Sequence, residues 1–184
     1  MMPAMKLKPK DQSLKEFVAT LKPWEVSKVQ YENLTKDEFQ RIVAADPAQR
    51  LIDMMDNGAS MRDIVVEGVA RIDRLLARLL ALDGYTEVVK LHRRIEEAHK
   101  RGLISDKEIL NAHREIRNAF GHDPDLHHIE HDDNVRKSCQ QTLPQGAPSE
   151  MSLRQQYVFG LMATILNLEG AVNKRGELSR SHDG

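Results

Sequence analysis

Aromatic side chains are scarce, at 4% of 184 residues, so a core has to be built from Leu, Ile, Val, Ala and Met. That aliphatic bias, with little clustering of β-branched residues, points to helices rather than sheets. Cysteine is almost absent. Cys139 is the single one, which excludes an intramolecular disulfide and a thiolate zinc cage and fits a reducing interior. Charge of either sign is balanced, with a net value of −1, so no overall field draws the chain onto nucleic acid or an anionic membrane. No apolar run approaches the ~18 residues of a membrane span. The opening "MMPAMKLKPKDQ" has lysines but no apolar stretch of signal-peptide length. A nucleophilic triad, a glycine-rich phosphate loop and a dinucleotide fingerprint are also missing, so no cofactor is expected. These absences together predict a cytoplasmic protein without a membrane segment.

What is present is helical periodicity. Residues 1–12 read as a mobile basic tail, and 13–59 as short helices packed on a bundle. "SLKEFVATL" stops before Pro23. "LTKDEFQRIVAA" opens with a capping box of Thr35 and Glu38, and Pro47 starts another short helix. This pair is a plain helical hairpin rather than a DNA-reading unit: its turn, Asp46–Pro47, lacks glycine and its second helix has no basic or amide-rich face. Trp24 reads as a lid over the bundle.

The strongest pattern is "SMRDIVVEGVARIDRLLARLLALDG". Ser60 caps it, Ile64, Val65, Val69, Ile72, Leu75, Leu76, Leu79 and Leu80 recur at helical spacing, and Gly84 ends it. Thr86 then begins a second helix with Val88, Leu91, Ile95 and Ala98 on one face, ending at Gly102. A capping box of Ser105 and Glu108 opens a third, with Ile109, Ala112, Ile116 and Phe120 buried and Gly121 as its stop. Such short connections predict antiparallel neighbours. A Pro/Gly loop fills 140–149, and a last helix has Leu153, Met162, Ile165, Leu166 and Val172 inward. The reading is all-α: a single antiparallel helical bundle over 60–174, followed by a disordered tail at 175–184.

The chemistry concentrates in "REIRNAFGHDPDLHHIEHDDN". On a continuous helix, Arg117 and His122 would sit ~140° apart. With Gly121 ending the helix, His122 becomes the first extended residue and can fold back toward Arg117 and Asn118. An imidazole base and a guanidinium meeting there could cleave RNA without metal. The structural alternative is favoured: Arg117 pairs with a carboxylate on an adjoining helix, Asn118 bonds carbonyls of the last turn, His122 faces the helix C-terminus, and Asp123 caps a turn at Pro124. Asp123, Asp125, Glu130, Asp132 and Asp133, with no Lys or Arg among 123–133, would repel a phosphodiester. A metal reading would take His127 and His131, four apart on a helix face, with Asp132. No further ligand motif completes that set, and a solvated acidic loop with pH-sensitive histidines is the better reading. Cys139, with no partner or base nearby in sequence, reads as a small packed residue.

The order "RDIVVEGVARIDRLLARLLA", "LHRRIEEAHKRGLIS", "REIRNAFGH" and "HDDNVRKSCQQTLP" resembles the mannitol operon repressor (MtlR) family over roughly residues 60–143. Gly121 stands where that family has alanine, and "EEAHKR" before Gly102 is more polar than its counterpart. The resemblance implies an all-helical bacterial transcriptional regulator, with a protein partner as open a possibility as direct DNA contact. Arg117, Asn118 and His122 are also similar to the Arg-Asn-x-x-x-His motif of HEPN domains, some of which are ribonucleases. That likeness implies a homodimer and makes these three residues the candidate catalytic positions of an RNA-cleaving alternative. Such an enzyme would need His122 exposed in a basic groove lined by residues such as Arg93, Arg94, Lys100, Arg101 and Arg114. The spread of Lys90, Arg93, Arg94, Lys100 and Arg101 around their helix favours the regulator.

Overall fold

The computed structural model describes residues 50–51, 53–55, 57–143 and 152–182, from 179 onward the backbone alone. The expectations for 1–49, including Trp24, the tail and most of the hairpin, lie outside these residues, as does most of the 140–149 loop. Among the described residues the chain is helical, without strands. The principal helices are α1 (Met61–Leu82), α2 (Leu91–Lys100), α3 (Lys107–His122), α4 (Asp133–Gln141) and α5 (Leu153–His182).

The local signals for α1 hold. Ser60 Oγ accepts from Asp63 N–H at 3.1 Å, and all eight predicted apolar positions are buried. Gly84 and Gly102 both have positive φ, at 81° and 68°, and the turn at Gly84 returns the Tyr85 N–H to the Leu80 carbonyl at 2.9 Å. That is the hydrogen-bond pattern that ends a helix on a left-handed residue.

Beyond that turn the fold departs from the sequence pattern. The second helix begins at Leu91, not Thr86, and Val88, expected on its buried face, is 95% exposed. The segment from Tyr85 to Lys90 is non-helical. Six residues in extended form reach roughly 20 Å, enough to bring the chain back along α1. The contacts show where it lands: Arg94 Nη1 bonds Asp73 at 2.6 Å, while Arg101 at the far end of α2 bonds Asp83 at 3.0 Å. These pairs give α1 and α2 the same direction. An antiparallel arrangement requires a tight turn, and the extended return replaces it.

α5 also runs parallel to α1. Arg154 donates to the Ala59 carbonyl, Arg71 bonds Glu169, and Arg175 bonds Asp83, in matching order along both helices. α3 runs against α5, with Ile104–Leu110 beside Thr164–Leu168. The core between them is aliphatic, as the composition requires, with Phe120 and Tyr157 as its largest fully buried rings. Two glycines permit the closest approaches. A Cβ at Gly68 of α1 would meet Leu161 Cδ2 at 2.1 Å, and one at Gly160 of α5 would meet the Thr142 carbonyl oxygen at 2.6 Å. α5 continues to His182, through the segment read as a disordered tail; Arg, Glu and Leu are good helix formers and carry the pattern on.

Candidate functional site

α3 starts from Asp106, whose carboxylate accepts from Ile109 N–H at 3.2 Å; Asp106, not Ser105, is therefore the cap. The helix does not stop at Gly121. It runs through His122, with Asp123 as its C-cap, and Gly121 does not take positive φ. His122 is thus the last helical residue, and the fold-back that would bring it to Arg117 does not occur. Five residues of helix separate the two by ~140°.

Arg117 does not make the expected ion pair with a carboxylate of an adjoining helix among the described residues, and the turn after α3 is held by another residue. Arg62, at the start of α1, donates from Nη2 to the carbonyls of Asp123 at 2.9 Å and Pro124 at 3.2 Å. This pins the turn after α3. Asp123 behaves as read, its Oδ1 accepting from Asp125 N–H at 2.9 Å. Arg117 and His122 are exposed and Asn118 is half-buried, and none of the three side chains has a hydrogen bond or ion pair among the described residues. No local signal in the sequence marked Arg62; its partners lie 61 and 62 residues away.

Arg117 and Asn118 instead line a cleft of about 420 Å³. One wall is α1, through Val66, Val69, Ala70 and Asp73; a second is the start of α2, through Lys90, Leu91 and His92; the third is α3, with Arg114 beside Arg117. The returning extended segment delivers Lys90 to this place. Lys90 is the N-cap of α2 and makes no side-chain cap hydrogen bond, and the first turn carries no acidic residue, so the helix's own residues do not shield its positive end. Asp73 is the one acidic lining residue, and Arg94 is bonded to it at 2.6 Å. Arg114 bonds Glu115 at 2.5 Å through Nη2, while its Nε is buried without a partner. The cleft is therefore basic, with an apolar floor. Of the cations expected to form a groove, only Arg114 is in the lining. Arg94 and Arg101 are committed to carboxylates, and Lys90 and Arg117 supply the other cations, with His92 beside them. His122 is not part of the lining.

The acidic loop does not gather a metal set. Only Ile129–His131 forms a 3₁₀ turn, so His127 and His131 do not share a helix face. Asp132 Oδ1 accepts from Asn134 N–H at 2.8 Å and Val135 N–H at 2.9 Å as the cap of α4. His128, not His127, packs against His131, ring centroids 5.0 Å apart. Among the described residues no three His, Cys, Asp or Glu side chains are grouped to hold a metal ion.

Two buried groups complete the picture. Cys139 is fully buried, and burial, with the charge of Glu130, pushes its thiol up to about 12; it is a packed residue, not a nucleophile. His113, which sequence reasoning missed, is also fully buried, and burial pushes its imidazole down to about 3. Its position one turn before Arg117 and among Ala112, Ile116 and Phe120 on the apolar face was the available signal. Among the described residues no helix is long and apolar enough to cross a membrane. No family model, no curated protein and no solved structure matches the chain.

Proposed function

We propose that the chain is a non-enzymatic bacterial transcriptional regulator of the mannitol operon repressor type, cytoplasmic and homodimeric, acting through a protein partner. The observation that carries this reading against catalysis is the unbroken course of α3. It keeps Arg117 and His122 on different sides of one helix, whereas a base and a phosphate-stabilising cation have to converge on one reacting group. The all-helical fold and the motif order over 60–143 support the same reading.

One observation favours a second reading, a HEPN-like metal-independent ribonuclease. Arg117, Asn118 and His122 are not tied down, and two of them line a basic cleft. In a dimer, His122 of one protomer and Arg117 of its partner would have to supply the pair between them.

RNA cleavage by the full chain and by His122→Ala, each with and without EDTA, separates the two. The regulator reading expects no cleavage above a mock preparation from either protein. It also expects a strain lacking the chain to show raised transcripts of a discrete operon, restored by the wild-type gene. Cleavage by wild type alone and indifferent to EDTA overturns it in favour of the ribonuclease. Cleavage lost with EDTA overturns both readings.

A further inference from the structure

The cleft between α1, α2 and α3 has features that a regulator's fold does not itself require. Lys90 and Arg117 reach it without carboxylate partners among the described residues. Arg114, paired with Glu115 through Nη2, adds an Nε that is buried and unbonded. The single acidic wall residue, Asp73, is neutralised by Arg94 from outside the lining. The same cleft takes in the start of α2, which the Lys90 side chain leaves uncapped and where amide N–H groups and the helix dipole add to the attraction for an anion. Asn118 offers both a donor and an acceptor beside them. Beside the cations, Val66, 52% exposed, and the half-buried Ala70 and Leu91 present an apolar surface. A free inorganic ion would leave that surface bare. A molecule with an anionic end and a flat or apolar body would cover both halves.

Size and surroundings narrow the class. A volume of about 420 Å³ falls within the ~300–1,000 Å³ typical of small-molecule sites. A nucleic-acid strand would need a longer basic track. Past the end of α3 the chain instead presents Asp123, Asp125, Glu130, Asp132 and Asp133. Arg101, at the far end of α2, is committed to Asp83 and Glu97.

We propose that this cleft is an effector site for a phosphomonoester of nucleoside-monophosphate size. The phosphate sits between Arg117, Lys90 and the start of α2, and the organic part lies on Val66, Ala70 and Leu91. This deepens the reading of the chain as a regulator and rests on it: the effector would reach α1, α2 and α3 at once, and so bias how the three pack.

The test is calorimetric titration of the full chain, at constant ionic strength, with AMP, ribose 5-phosphate, inorganic phosphate and adenosine. AMP is expected to bind at one site per chain, more tightly than inorganic phosphate or adenosine, because only AMP engages both halves of the cleft. Arg117→Ala and Lys90→Ala are each expected to weaken AMP by roughly tenfold or more, Arg117→Lys to recover part of the loss, and Arg78→Ala, an exposed change outside the cleft, to leave it unchanged. Ribose 5-phosphate matching AMP would assign the site to sugar phosphates and overturn the role of the apolar floor. A flat isotherm at millimolar AMP, or binding that Arg117→Ala and Lys90→Ala leave intact, overturns the site. So does a short single-stranded RNA that binds more tightly than AMP through the same two residues. Failure here is distinct from failure of the regulator reading: RNA cleavage or an unchanged transcript profile would sink that reading even if AMP binds.

Discussion

His113 Nε2 lies 3.0 Å from Thr164 Oγ1 in a fully buried seam between α3 and α5. Thr164 in turn donates its hydroxyl to the Gly160 carbonyl at 2.9 Å, so the imidazole must donate from Nε2, leaving Nδ1 unprotonated. That Nδ1 is buried without a partner, and charging it would place a cation among apolar side chains.

Stability should therefore depend on pH through this residue. Burial lowers the folded value from 6.5 to about 3. The neutral imidazole's contribution is fully present above pH 6.5 and is lost progressively as pH falls toward 3. In that window it supplies a slope approaching 1.4 kcal/mol per pH unit, with a total on the order of 5 kcal/mol. Urea midpoints at several pH values, compared between wild type and His113→Phe, should show a shallower dependence in the variant. Equal slopes would mean that the buried imidazole does not couple to folding.

The glycine contacts predict a ranked pair of losses. Gly68→Ala drives a Cβ into the end of the Leu161 side chain, which can turn away at some cost, and overpacking of this kind costs about 1–3 kcal/mol. Gly160→Ala meets the Thr142 backbone carbonyl, which cannot turn away without moving the end of α4. The second variant should be the less stable, despite the ~1 kcal/mol that alanine gains over glycine within a helix. Chemical denaturation of both proteins decides the order.

Two arginines near the turn after α3 should behave oppositely. Arg62→Ala removes the donor to the exposed Asp123 and Pro124 carbonyls and should cost about 0.5–1.5 kcal/mol. Arg117→Ala removes an exposed side chain with no partner among the described residues, and should stay within about 0.5 kcal/mol of wild type. A large loss of stability in Arg117→Ala would return that residue to the structural role its sequence context suggested.

The Asp73–Arg94 pair offers a test of the cleft's electrostatics from outside it. Arg94→Ala frees the Asp73 carboxylate to face the site, and should weaken AMP severalfold, since an unmatched charge a few ångströms away acts through an effective dielectric well below that of water. Adding Asp73→Asn should restore the affinity. If the double variant binds no better than Arg94→Ala, the charge balance is not what tunes the cleft.

Much of the molecule is set by local information. The apolar spacing of α1, the Ser60 cap, the positive-φ stops at Gly84 and Gly102, the Asp123 turn and the inert Cys139 are all legible in sequence, because each depends on helical period, on hydrogen bonds within a few residues or on the environment of one small side chain. Tertiary structure decided the rest. The sequence alone does not say that Tyr85–Lys90 runs back along α1 and sets α2 parallel to it, nor that Gly121 stays helical and carries His122 away from Arg117. It also does not say that Arg62 takes the carbonyls after α3 while Arg117 goes without a carboxylate, or that Lys90, Arg114 and Arg117 line one cleft beside an apolar surface. These outcomes turn on which of several locally acceptable conformations and ion pairs completes the packing, and that choice is made between residues tens of positions apart, where no periodic or capping signal reaches.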